Sequence, residues 1–212
     1  QYEFREADHE QIQRWARMLG MGPEAVVEGL EGFRKKPYFE YLYEAPHVNF
    51  RVHEGPIVSL AWDFDTFPLS DWAWIDGLKI ERLGILNPLK GRLPTLPRSL
   101  RGFFCYECKL TVLDLCSVPG LTELNCWENQ LTDLDLTPVP GLTTLDCSDN
   151  QLTQLDLTPV PGLTTLDCGN TQLTNLDLTP VPGLTTLDCS NTQLTHLDLT
   201  PVPGLTTLDC WG

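Results

Sequence analysis

The 212 residues predict an α/β solenoid: a right-handed superhelix of about eight units of 20–23 residues, with a parallel sheet on its concave side and a helical cap at the N-terminal end. Three observations predict it. The segment Leu145–Thr165 returns almost unchanged from Leu166 and again from Leu187, a period of 21 residues. Within each unit a leucine and a cysteine flank one polar residue, as in Leu145-Asp146-Cys147, so in an extended strand the two apolar side chains share a face. The rest of the unit, Leu155-Asp-Leu-Thr-Pro-Val-Pro-Gly162, holds too much proline for a helix interior. It reads as a short extended or 3₁₀ stretch on the convex side, with the glycine ending the corner.

Residues 1–56 read as the cap. Ile12, Trp15, Ala16 and Leu19 recur at helical spacing over residues 8–20, with Asp8 as N-cap and Gly20 as stop. A second helix from Pro23 to about Arg34 would bury Val26, Val27, Leu30 and Phe33. From Pro37 to Val52 the pattern alternates through Tyr41, Tyr43, Val48, Phe50 and Val52, predicting a hairpin around Ala45-Pro46-His47. The aromatic stretch from Trp62 to Trp74 is expected to fill space between cap and repeats.

The repeat domain spans residues 57–212. Residues 57–102 hold two degenerate units, Ile57-x-x-Leu60-x-Trp62 and Ile80-x-x-Leu83-x-Ile85, and residues 103–212 hold the regular ones. One unit cannot bury its apolar row alone, but stacked units bury a continuous core. Leu124, Leu145, Leu166, Leu187 and Leu208 should form one inner ladder, and Cys105, Cys126, Cys147, Cys168, Cys189 and Cys210 the ladder beside it. Leu131, Leu152 and Leu173 should close the turn. The pair Cys105-x-x-Cys108 could signal zinc or redox chemistry on its own. In register both face inward, so reduced core thiols are expected, with no metal and no cofactor.

The signature Leu-x-x-Leu-x-Cys-x-x-Asn, from Leu121 to Asn129 and from Leu142 to Asn150, resembles that of leucine-rich-repeat proteins. The 21-residue length and the cysteine in place of the third leucine are most similar to internalin-like bacterial repeats with a cysteine ladder. That resemblance implies a recognition module on the cell surface or secreted, whereas unpaired cysteines point to a reducing compartment. Three units depart from the signature, with Cys108, Thr171 and Thr192 at the asparagine position, where turn amides should be satisfied less completely. The segment Arg92–Arg101 is closer to the Leu-Pro-x-Leu-Pro repeats of bacterial effector ubiquitin ligases. The alternative reading is therefore the substrate-recognition part of a larger effector whose catalytic domain is absent from this chain.

Formal net charge is −15, and residues 101–212 carry 14 acids against only Arg101 and Lys109. Such a surface repels nucleic acid and anionic lipid and favours a basic protein partner. No apolar run is long enough to predict membrane insertion. Outward side chains of the strands should form the binding face. Phe104, Tyr106 and Trp127 are expected to cluster there as exposed aromatics, beside Glu123 and a row of Asp146, Asp167, Asp188 and Asp209. A plainer account of the row is solvation by flanking threonines after recent repeat duplication. A second row, Asp114, Asp135, Asp156, Asp177 and Asp198, reads as a solvated convex edge. The repeat pattern runs to the last residue, so a further chain or a second copy is expected over the terminal strand. No nucleophile–base pair or phosphate loop is present, and the regular Asp rows do not give two carboxylates different environments; a non-enzymatic binding role follows.

Overall fold

The computed structural model describes residues 6–20, 22–32, 59–63, 80–86, 93 and 95–212. The chain divides into two compact units, residues 1–100 and 101–212.

The first unit holds α1 (Glu6–Leu19), α2 (Pro23–Gly32), β1 (Ser59–Asp63) and β2 (Arg82–Leu86). Helix α1 buries Ile12, Trp15 and Ala16 along the stripe set by their spacing. It stops at Gly20, whose φ of +66° suits a residue without a Cβ and whose N–H donates to the Arg17 carbonyl at 3.3 Å. The helix begins at Glu6, so Asp8 lies in its first turn and is not the cap; capping signals alone locate a helix start only to within a residue or two. In α2 the Gly22 carbonyl accepts the first bond, from Val26 at 3.2 Å, and Pro23 takes the first helical position, where its missing N–H costs nothing. The helix is described from Pro23 to Gly32, with Val26 buried and Val27 half-buried, and the expected end at Arg34 lies outside the described residues. Phe33, the hairpin expected over residues 37–52 and the aromatic residues between 64 and 74 lie outside the described residues. β1 and β2 pair in parallel with Leu60 opposite Leu83 and Trp62 opposite Ile85, the register that the degenerate spacing predicts.

The second unit is a parallel solenoid. Its strands are β3 (Gly102–Phe104), β4 (Glu123–Asn125), β5 (Thr144–Asp146), β6 (Thr165–Asp167), β7 (Thr186–Asp188) and β8 (Thr207–Asp209). Each pairs with the next at an offset of one repeat, so Leu124 stands opposite Leu145 and Asn125 opposite Asp146. The unit therefore has six stacked turns where eight were expected in all; the two degenerate units pair as β1 and β2 in the first unit. The inner ladders fall where the alternation places them. Leu124, Leu145, Leu166 and Leu187 are buried, as are the ladder cysteines Cys105, Cys126, Cys147, Cys168 and Cys189, while Leu208 and Cys210 are exposed. All eight cysteines are free thiols.

The convex half differs from the expected extended or 3₁₀ stretch. Val139 N–H donates to Leu136 O at 3.0 Å and Leu142 N–H to Val139 O at 3.1 Å, giving two successive β-turns, and the next units repeat them. Gly141 is not required there: its φ is not positive, and an added Cβ would meet nothing closer than Leu121 O at 3.7 Å. The left-handed conformation occurs at the other corner, just past strands β3–β7, at Glu107, Glu128, Asp149, Asn170 and Asn191, with φ between 51° and 53°. Asp and Asn adopt it at lower cost than Glu.

Side chains then lock unit to unit. The Asn150 amide donates to Cys126 O, Cys147 O and Ser148 O at 2.9, 3.1 and 3.0 Å, while its Oδ1 accepts from Leu131 N–H at 3.0 Å. Asn129 makes the equivalent set. Thr171 and Thr192 replace this with one bond each inside their own unit, to Cys168 O and Cys189 O, as the shorter side chain predicts. On the strand's other flank Thr143, Thr164, Thr185 and Thr206 each donate a hydroxyl to the threonine carbonyl one unit earlier.

Candidate functional site

The outward side chains of the second unit divide into an aromatic start and an acidic continuation. The exposed aromatic cluster is not present as expected. Phe104 and Tyr106 are buried, 2% and 4% exposed, and only Trp127 is half-buried. Strand alternation fixes which way a side chain points but not what lies over it, so exposure could not be read from the pattern. The Tyr106 and Trp127 rings lie 6.1 Å apart between centroids at 38°, an ordinary tilted aromatic contact. The indole N–H of Trp127 donates to Asp149 Oδ2 at 2.8 Å, holding the ring at the border of the acidic face.

Beyond Trp127 the row runs Asn125, Asp146, Asp167, Asp188, Asp209, one residue per strand from β4 to β8. Glu123 stands half-buried at the head of β4. The row is held by donors that the bare spacing did not reveal. Asn125 donates to Asp146 Oδ2 at 2.7 Å. Asp146 Oδ1 also accepts from the Ser148 hydroxyl at 2.6 Å and its N–H at 3.2 Å, and Asp188 is bonded in the same way by Ser190. Asp167 differs: residue 169 is glycine, so its Oδ1 accepts the Gly169 N–H at 3.0 Å without a hydroxyl. These are Asx turns, and the signal for them was an aspartate followed two residues later by serine.

Burial and charge act against two carboxylates of this row, Asp146 and Asp167. Burial pushes the Asp146 carboxyl above its usual range, against the lowering effect of Ser148 and Asn125 and with a further push from Asp149. Asp167 is pushed up to about 7, chiefly by burial, then by the neighbouring charge of Asp146. Loss of water therefore outweighs the mutual repulsion of like charges. Behind the sheet the thiols respond likewise: burial raises Cys126, Cys147 and Cys168, and raises Cys189 to about 11, so they stay protonated and weakly nucleophilic.

The convex row is more than a solvated edge. Asp114, Asp135, Asp156, Asp177 and Asp198 are exposed, yet each accepts the N–H two residues on, from Cys116, Thr137, Thr158, Thr179 and Thr200, at 2.9 Å. Hydrogen bonds from the side chain and backbone of that residue lower each carboxyl. Among the described residues no group of three or more His, Cys, Asp or Glu is arranged to hold a metal ion, and no helix is long and apolar enough to cross a membrane.

Comparison with known proteins agrees with this geometry. Residues 140–180 match the family of leucine-rich repeats in two copies. No curated protein sequence matches the chain. Among solved structures, the functional domain of InlJ from Listeria monocytogenes, which includes a cysteine ladder, is similar at 28% identity with a TM-score of 0.56, over 74% of this chain and 38% of that one. InlP from the same organism is 29% identical with a TM-score of 0.53, over 61% of this chain and 41% of that one. The leucine-rich-repeat protein LIC12759 of Leptospira interrogans shares the fold at 23% identity, TM-score 0.53, over 62% of this chain and 37% of that one. The chain thus spans about two fifths of the length of these structures. With its repeat, its stacked parallel strands and its row of buried thiols, the chain is a solenoid that carries leucine-rich repeats and is similar to internalin-type solenoids with a cysteine ladder.

Proposed function

We propose that this chain is a protein-recognition module whose partner docks on the outward face of the sheet across β4–β8, with Trp127 at one border. Leucine-rich-repeat folds commonly mediate protein–protein recognition, and stacked repeats supply an extended surface for it. The observation that carries the reading is the uninterrupted row from Asn125 to Asp209, set beside Trp127 on a stretch of chain without a lysine or arginine beyond Lys109. Such a face favours a basic partner by charge complementarity, and an aromatic at its edge adds apolar contact. Glu123, Asp146, Asp167, Asp188 and Asp209 supply the acidic groups; Tyr106 supports Trp127 through its ring contact, and Tyr106 and Phe104, being buried, offer little contact area.

The test is capture of partners by the wild type beside Trp127→Ala, Asp188→Asn and, as a control of equal charge change on the convex edge, Asp177→Asn. Loss of the same captured protein in the first two variants and its retention in the third is expected. Equal recovery by all four proteins would overturn docking on this face. Raising the salt concentration from low to physiological should weaken capture, and affinity unmoved by salt would argue against a basic partner.

A further inference from the structure

We draw no further inference here: the strongest candidate, the carboxylate row Asp146–Asp167–Asp188–Asp209 on the outward face of β5–β8, belongs to the docking face already proposed, and nothing else among the described residues points to a ligand for it.

Discussion

The two aspartate rows of the solenoid share a residue type and a 21-residue period, and members of both accept a hydrogen bond from the N–H two residues on, yet their acidities move in opposite directions. On the convex edge the five carboxyls are lowered, because the hydrogen bonds favour the charged form and water costs nothing to keep. On the outward sheet face Asp146 and Asp167 are raised, because burial penalises the charge more than the same kind of bond repays. Local sequence sets the turn in both rows. The surroundings set the sign.

Both rows keep their places because the turn between them is fixed, and the largest expected effect is there. Asn150 lies between Asp146 and Asp156 and ties four backbone groups from three segments. Asn150→Ala should cost about 2–4 kcal/mol by urea unfolding, since buried carbonyls and the Leu131 N–H lose their partner. Thr171→Ala removes one such bond and should cost about 1 kcal/mol. Equal losses at the two positions would mean that the amide's bonds between units contribute nothing.

The next effect tests the raised carboxyl directly. Asp167 has a folded value of about 7 against 3.8 for the free side chain, so the folded state binds its proton more tightly than the unfolded chain. Its contribution is most favourable below 3.8, declines as pH rises, and is fully lost above about 7. Asp167→Asn should therefore stabilise the protein at pH 8 by about 1–2 kcal/mol, a figure reduced for the carboxyl's partial exposure. The gain should fade between pH 7 and pH 4. A gain that is the same at pH 8 and pH 3.5 would assign the effect to packing instead of ionisation.

Much of the scaffold was legible in the sequence, and far less of the face. The spacing of Leu124, Cys126 and Asn129 determines the inward ladders, because a period of two in the strand and 21 between units leaves one way to bury them. The same arithmetic placed Leu60 opposite Leu83 even in the degenerate units. It could not tell that Phe104 and Tyr106 are covered, because burial of an outward residue depends on chain elsewhere. Nor did it identify the donors at Ser148 and Ser190, although an aspartate with serine two residues on is a local signal that could have been read. The left-handed corners were not read from the sequence either: they fall at Glu128, Asp149 and Asn170, none of them a glycine.

Gly169→Ser sharpens the contrast within the outward row. It would give Asp167 the hydroxyl that Ser148 gives Asp146, but an added Cβ would stand 3.3 Å from Asp188 Oδ1 and Ser190 O and 3.4 Å from Asp167 Oδ1. Those neighbours must yield by a few tenths of an ångström. The donor should offset that strain, leaving a net gain at pH 8 of less than about 1 kcal/mol. The clearer readout is the Asp167 carboxyl titration followed by NMR, which should move down from about 7. An unmoved midpoint would mean that the missing hydroxyl does not account for the difference between Asp167 and its neighbours.

The smallest effect belongs to the convex row, and it should have the opposite pH dependence. Asp156 accepts from Thr158 N–H at 2.9 Å, and its folded value is lowered, so its contribution is present above the free-side-chain value and lost as pH falls through the folded one. Asp156→Ala should lower the melting temperature slightly at pH 7 and match the wild type near pH 2. Asp156→Asn keeps an acceptor for the same turn and should fall between them with little pH dependence. If alanine and wild type differ as much at pH 2 as at pH 7, the turn is held by its backbone alone, and the convex row carries charge without contributing to the fold. The contrast between the rows would then rest on the outward face only, where burial acts on Asp146 and Asp167 whatever the turns contribute.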